Sequence, residues 1–167
     1  PSEKKRVAFH EAGHATISWL VEHAAPLLKV TIVPRGRSLG AAWYLPEERS
    51  LTTTEQMLDE MCATLGGRAA EEVAFGNIST GALSDLERVT KQAQAMVTIY
   101  GLSENIGNIS YYDSSGQSEY SFGKPYSEET AKKIDAEVKK IVEAGYARAK
   151  KILSEKIDEL HKVAKAL

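Results

Sequence analysis

Two histidines and a glutamate near the start of the chain have the spacing of a metal site. Residues 10–14 read His-Glu-Ala-Gly-His, and side chains four residues apart lie on one face of an α-helix. His10 and His14 can therefore bind one metal ion, with Glu11 beside them. Zinc lowers the pKa of a bound water, and a neighbouring carboxylate can take its proton as that water attacks a peptide bond. The pattern predicts a zinc-dependent peptidase.

The alternative is that both histidines are structural. His10 and His14 interrupt an apolar row formed by Val7, Ile17 and Val21 on the same helical face. A buried imidazole needs hydrogen-bond partners, and other protein groups usually supply them. Two histidines four residues apart, with a glutamate between them, favour the metal over this explanation.

Composition predicts one soluble globular domain spanning residues 1–167. The chain is 43% hydrophobic and 26% charged, with a formal net charge of -2. This charge, without a block of Lys or Arg, predicts no nucleic-acid partner. Cys62 is the only cysteine, which excludes an internal disulfide and a cysteine-pair metal site. No apolar run has the length of a membrane span, and the abrupt ends suggest a segment of a longer protein.

The hydrophobic pattern predicts a mainly α-helical domain with a small β-hairpin or sheet. The histidine helix extends to about His23. A run rich in β-branched residues predicts a strand at 28–33, and the segment L-G-A-A-W-Y-L predicts a second short strand at 39–45. A loop covers 101–125, with one short strand near 109–112. The remaining helices are expected at 52–75, 82–100, 127–153 and 155–166.

Two features of the helix at 52–75 bear on its packing. Thr52 and Glu55 have capping-box spacing, and Gly76 is suited to end the helix. Gly66 and Gly67 interrupt it, at a cost of roughly 2 kcal/mol relative to alanine. The pair indicates either a loose turn or the close approach of another element, such as the histidine helix.

A catalytic zinc site needs a third protein ligand and one open position. His23, at a helix end, and His161, among lysines, are expected to be surface residues. A carboxylate from a later helix is the better candidate, and the sequence offers Glu71 and Asp85. Without a metal, Asp85 would be a first-turn acid favoured by the helix dipole, and Glu71 a solvated surface acid. The spacing does not choose between them, and the one that does not bind zinc can orient a ligand histidine.

Several blocks in a fixed order make the chain resemble the peptidase domain of the FtsH-type ATP-dependent zinc proteases, which include the mitochondrial AAA proteases. The blocks are K-R-V-A-F-H-E-A-G-H-A at 5–15, V-T-I-V-P-R-G at 30–36, L-G-G-R-A-A-E-E at 65–72, S-T-G-A-L-S-D-L at 79–86, Y-G-L-S-E at 100–104 and Y-S-E-E-T-A-K-K-I-D-A-E-V at 126–138. They extend over essentially the whole chain.

The resemblance implies a helical, zincin-like fold and a role for each site residue. It implies one Zn²⁺ held by His10, His14 and Asp85, Glu11 as the general base, and Glu71 as a residue that supports a ligand. It also implies an edge strand that binds extended substrate through its backbone. The residues of that strand are Leu39, Gly40, Ala41, Ala42 and Trp43.

The chain departs from the whole FtsH-type protein in one respect, since it contains no G-x-x-x-x-G-K-[ST] phosphate loop. The resemblance therefore implies an excised protease domain, with ATP used only by an AAA ATPase module outside this segment. It further implies a homo-hexamer, unfolded or misfolded protein substrates, and a membrane anchor in the full-length protein, with this soluble domain on the cytoplasmic or mitochondrial-matrix side. Two rival hypotheses are an ATP-independent metallopeptidase and a non-catalytic ring-assembly domain.

Overall fold

Five α-helices form most of the described chain. The computed structural model describes residues 2–24, 27–32, 41–44, 51–112 and 125–167. Within them the helices are α1 (Ser2–Leu20), α2 (Thr54–Phe75), α3 (Leu83–Thr98), α4 (Glu128–Glu155) and α5 (Ile157–Ala166), and a 3-10 turn at Thr80–Ala82 precedes α3. The predicted mainly α-helical fold is confirmed. None of the helices in these ranges is both long and apolar enough to cross a membrane.

Two short strands lie between α1 and α2 in the chain. β1 (Leu27–Thr31) pairs antiparallel with β2 (Ala41–Tyr44), with Thr31 opposite Ala41 and an irregularity between Leu27 and Lys29. Residues 33–40 lie outside the described residues, so the turn of the predicted hairpin remains a prediction. Leu39 and Gly40 of the predicted substrate strand fall in the same segment.

The backbones of α1 and α2 touch at a pair of glycines. A Cβ atom added to Gly13 would lie 2.1 Å from the carbonyl oxygen of Gly66, and one added to Gly66 would lie 2.8 Å from that of Gly13. Such distances are too short for any side chain at either position. Helix α2 also continues unbroken through Gly66 and Gly67. The structure thus confirms the close approach of the histidine helix and rules out a loose turn.

The apolar faces of the helices form two adjoining core clusters. One joins α1 and α2 to the C-terminal helices through residues such as Ile17 and Leu160, and the other joins α2 to α3 and α4 through residues such as Met61 and Val89. All four of these side chains are fully buried. Each fully buried aliphatic side chain of this size contributes about 1.5–3 kcal/mol to the free energy of folding. This burial holds α1 firmly against α2 and the C-terminal helices.

The caps of α2 differ from the prediction by one residue at the start and agree with it at the end. Thr53, not Thr52, is the N-cap, and its capping box is completed by Gln56 rather than Glu55. The run of three threonines before Glu-Gln offers two overlapping capping boxes, so sequence alone does not choose between them. Gly76 ends the helix as predicted, with a φ of 73° that favours glycine.

The strand predicted near 109–112 is wrong, because this segment has no strand in the structure. The backbone N–H of Tyr111 instead donates to the carbonyl of Thr98 at the end of α3 (2.7 Å). The Tyr111 ring also packs edge-on against Tyr126, with 4.9 Å between centroids. The segment is thus held against a helix end rather than against another strand.

Candidate metal centre

Helix α1 buries the whole His-Glu-Ala-Gly-His segment. His10, Glu11 and His14 are only 8%, 7% and 8% exposed, which is unusual for such polar side chains. The two imidazoles lie one helical turn apart, with 4.8 Å between ring centroids. Polar groups this deeply buried need partners, and the partners decide which ring nitrogens remain available.

The Nδ1 atoms of both histidines point to acceptor atoms. His10 Nδ1 lies 2.9 Å from Oε2 of Glu71, and His14 Nδ1 lies 2.9 Å from the carbonyl oxygen of Ala63. A carbonyl oxygen can only accept a hydrogen bond, and so can an ionised carboxylate, so both Nδ1 atoms donate. Each Nε2 atom is then free to present a lone pair elsewhere.

Asp85 brings a carboxylate to those two Nε2 atoms. Its Oδ2 lies 3.0 Å from Nε2 of His10 and 3.3 Å from Nε2 of His14, although Asp85 is 75 residues from His10 in the chain. The first turn of α3 carries it there. Ser79 caps the preceding 3-10 turn by accepting from the N–H of Gly81. Ligand atoms of the three side chains all lie within 4.8 Å of one another.

This convergence of acceptor atoms suits a cation. Two Nε2 lone pairs and a carboxylate oxygen repel one another unless a proton or a metal ion lies between them. With a proton there, the hydrogen bonds to Asp85 and Glu71 outweigh burial and raise the pKa of His10 to about 9. Burial opposes ionisation of Asp85, but its hydrogen bonds to both histidines hold its pKa well below the usual range. Two imidazoles and one carboxylate are also a donor set that zinc accepts.

Glu11 differs from the other two carboxylates of the site. Burial is the largest influence on it and raises its pKa, although the neighbouring His14 and His10 oppose the shift. A carboxylate whose pKa is shifted toward neutrality is a more effective proton acceptor near pH 7. Its place beside His10 on α1 is the one predicted for a general base.

Glu71 is buried and ionised rather than a solvated surface acid. It is 1% exposed, and its Oε1 accepts from Arg6 (3.0 Å) and from the Ser79 hydroxyl (2.5 Å). Although burial opposes ionisation, hydrogen bonds from His10, Ser79 and Arg6 lower its pKa to about 2. Glu71 therefore faces the Nδ1 side of His10, away from the converging Nε2 atoms, and orients that ring.

A family model described as "Peptidase family M41" matches residues 1–167. The chain belongs to peptidase family M41. It is 66% identical over 165 residues to the ATP-dependent zinc metalloprotease FtsH of Parabacteroides distasonis, covering 99% of this chain and 24% of that protein. It is 52% identical over 164 residues to the mouse mitochondrial inner membrane m-AAA protease component AFG3L2, covering 98% of this chain and 20% of that protein. The chain thus spans about a quarter or less of the length of these relatives, and the predicted resemblance to the FtsH-type peptidases is confirmed.

Gly67 gives the M41 histidine helix room for its first imidazole. A Cβ atom on Gly67 would lie 2.4 Å from Nε2 of His10. The ring therefore packs directly on the backbone of α2, and the glycine sets its position. The sequence pattern drew attention to Gly66 and Gly67 but gave no separate role to Gly67.

The two remaining histidines, predicted to be surface residues, are not part of the three-residue group. His161 is exposed and packs edge-on against Phe9, with 5.1 Å between centroids, and Nε2 of His23 is 3.7 Å from a carboxylate oxygen of Glu55. In the described ranges, only His10, His14 and Asp85 form such a metal-ligating group. The strand residues Ala41, Ala42 and Trp43 belong to β2.

Sequence reasoning missed the contact between Arg6 and Glu71. Arg6 precedes His10 by one helical turn, and this spacing was the available signal. From the sequence alone, Arg6 is only the third of three neighbouring cations, too few to form a charged block.

Proposed function

We propose that this chain is the zinc metalloendopeptidase domain of a membrane-anchored, ATP-dependent protease. The observation that supports this most directly is the convergence of His10 Nε2, His14 Nε2 and Asp85 Oδ2 beside the buried carboxylate of Glu11. Family membership over residues 1–167 and the names of the relatives support the same proposal.

His10, His14 and Asp85 would hold one zinc ion per chain. Three protein ligands leave an open position, as in catalytic rather than structural zinc sites. Zinc bound there supplies Lewis-acid chemistry, lowering the pKa of water and polarising a peptide carbonyl. The hydrogen bonds from Nδ1 of each histidine fix the rings so that Nε2 faces the ion.

Glu11 would carry the proton transfers of hydrolysis. It accepts the proton of the attacking water and then delivers it to the departing amine nitrogen. The backbone of residues 39–43, including Ala41, Ala42 and Trp43 of β2, would hold an extended peptide by adding it to the sheet. Backbone hydrogen bonds of this kind bind peptides with little sequence preference, which suits unfolded or misfolded protein substrates.

The remaining parts of the proposal concern the full-length protein. An attached AAA ATPase module would deliver substrates. The names of the two relatives support this, since one is an ATP-dependent zinc metalloprotease and the other is a component of an m-AAA protease. A homo-hexameric ring and a membrane anchor outside this segment complete the proposal. In this arrangement the domain described here lies on the cytoplasmic or matrix-like side of the membrane.

Zinc stoichiometry of Asp85→Ala tests the proposed site. Elemental analysis of the purified wild-type chain should give about one zinc per chain. The variant should lose most of it, because two imidazoles alone do not complete a catalytic site. Glu87→Ala is the matched control, since it removes an exposed acid from the same helix and should keep its zinc. Full retention by Asp85→Ala would assign the third position to Glu71 or another group, and a zinc-free wild type would favour the non-catalytic assembly domain.

Zinc affinity should also rise with pH. In the zinc-free chain the pKa of His10 is raised from 6.5 to about 9, so its proton stabilises the fold fully below pH 6.5 and this contribution is lost as pH rises through 9. Zinc must displace that proton, so its apparent affinity should increase by roughly up to tenfold per pH unit between pH 6.5 and 8.5. Competition with a chelator at several pH values measures this. His23→Gln should show the same dependence, and a pH-independent affinity would contradict the assignment.

A further inference from the structure

Arg6 lies at the outer end of a chain of contacts that leads to the converging Nε2 atoms. It precedes His10 by four residues on α1, so the two side chains share one helical face. Both reach the same buried carboxylate, since Arg6 Nη1 is 3.0 Å from Oε1 of Glu71 and His10 Nδ1 is 2.9 Å from Oε2. Oε1 of Glu71 thus accepts a hydrogen bond from Arg6, and Oε2 accepts one from His10.

The guanidinium of Arg6 is itself held on three sides. Its Nη2 donates to Oδ1 of Asn77 (2.5 Å), and its carbon Cζ lies 4.6 Å from the centroid of the Phe75 ring. Asn77 and Phe75 flank Gly76, the residue that ends α2. A planar, multiply held guanidinium fixes a carboxylate more firmly than a flexible ammonium does.

Glu71 therefore has little freedom to turn. Only 1% of Glu71 is exposed. The Ser79 hydroxyl is a second hydrogen-bond donor to Oε1, the oxygen that Arg6 also contacts. A carboxylate held in this way at one oxygen must present the other to His10. Partners that orient a ligand histidine typically change metal affinity by about 10–100-fold.

We propose that Arg6 is a positioning residue for metal binding, which acts through Glu71 to hold the His10 ring with Nε2 facing Asp85. The inference rests on the proposed function, because it takes the ion to be the zinc of that site. The contacts of Arg6 are with Glu71, Asn77 and Phe75 rather than with the converging ligand atoms. Its effect is to reduce the number of orientations that His10 can adopt before zinc binds.

Two substitutions separate this role from simple packing. Arg6→Met keeps an apolar stem against Phe75 and removes the hydrogen-bonding fork. Arg6→Lys keeps the charge but loses the planar geometry. Measured by competition with a chelator, zinc affinity should fall about tenfold in Arg6→Met, with a smaller loss in Arg6→Lys. Lys5→Met, which removes the exposed neighbouring cation, should bind zinc as the wild type does.

A double-mutant cycle tests the route through Glu71. Once Glu71→Gln has removed the carboxylate, adding Arg6→Met should weaken zinc binding by less than about twofold, because coupled residues are not additive. Urea unfolding of each zinc-free variant reports general destabilisation separately from affinity. The inference would be overturned if Arg6→Met bound zinc with wild-type affinity. It would also be overturned if the fold-loss of zinc affinity in the double variant equalled the product of the losses in the two single variants. Either result would leave the proposed function standing. A wild-type chain without zinc affinity would overturn both.

Discussion

Replacing Glu11 with Gln should abolish most peptide-bond hydrolysis while the chain still binds zinc. Removal of a positioned general base typically lowers the rate by about 10²–10⁴-fold. The amide is nearly the same size as the carboxylate but cannot accept the proton of water. Glu11 is not one of the three converging ligands, so metal content should stay near the wild-type value. Cleavage of an unfolded protein such as casein, together with elemental analysis, measures both quantities.

The matched control for this substitution is Glu3→Gln, an exposed glutamate in the first turn of the same helix. It should keep both activity and zinc. Unchanged cleavage by a contaminant-free preparation of Glu11→Gln would remove Glu11 from its proposed role. Loss of zinc together with activity would show instead that Glu11 supports the metal group itself.

Replacing Gly67 with Ala should disable the metal centre without unfolding the protein. The new methyl group would occupy space 2.4–2.6 Å from the imidazole atoms of His10, so the ring must turn away from Asp85. Alanine is also the better helix former by about 1 kcal/mol, which supports α2. We therefore expect near-wild-type helix content by circular dichroism and a fall in zinc affinity of at least about tenfold.

Gly145→Ala provides the control, because it makes the same change in α4. A Cβ atom there would meet only the tip of the Leu65 side chain, at 3.1 Å, and a flexible side chain can move by a few tenths of an ångström. This variant should bind zinc normally. If Gly67→Ala also bound zinc with wild-type affinity, the close contact with His10 would have no part in shaping the site.

The helical pattern was predictable because apolar spacing and caps are local properties of the chain. Gly76 and the row through His10, His14 and Ile17 behave in the structure as the sequence predicts. Local signals fail where they are degenerate, as at Thr52 and Thr53, or where a tertiary contact intervenes, as at Tyr111. The backbone bond from Tyr111 to the end of α3 depends on a packing arrangement that no short window of sequence contains.

The motif predicted the two histidines, but the arrangement around them depends on how three helices pack. Spacing left Glu71 and Asp85 as equal candidates, because each is an acid near a helix end. The structure sets them on opposite sides of one imidazole ring, Glu71 at Nδ1 and Asp85 at Nε2. Arg6 was missed for the same reason, since its significance depends on the partner it meets across the interface with α2.

The separation of 75 positions between His10 and Asp85 also affects when the metal centre can form during synthesis of the chain. The histidine segment leaves the ribosome first, and the entropy of closing so long a loop opposes the meeting of α1 and α3 until α2 has packed between them. The three side chains therefore come together only as the tertiary fold is completed. Under the proposed function, the domain would gain the capacity to cut only after its own chain has ceased to be an extended substrate.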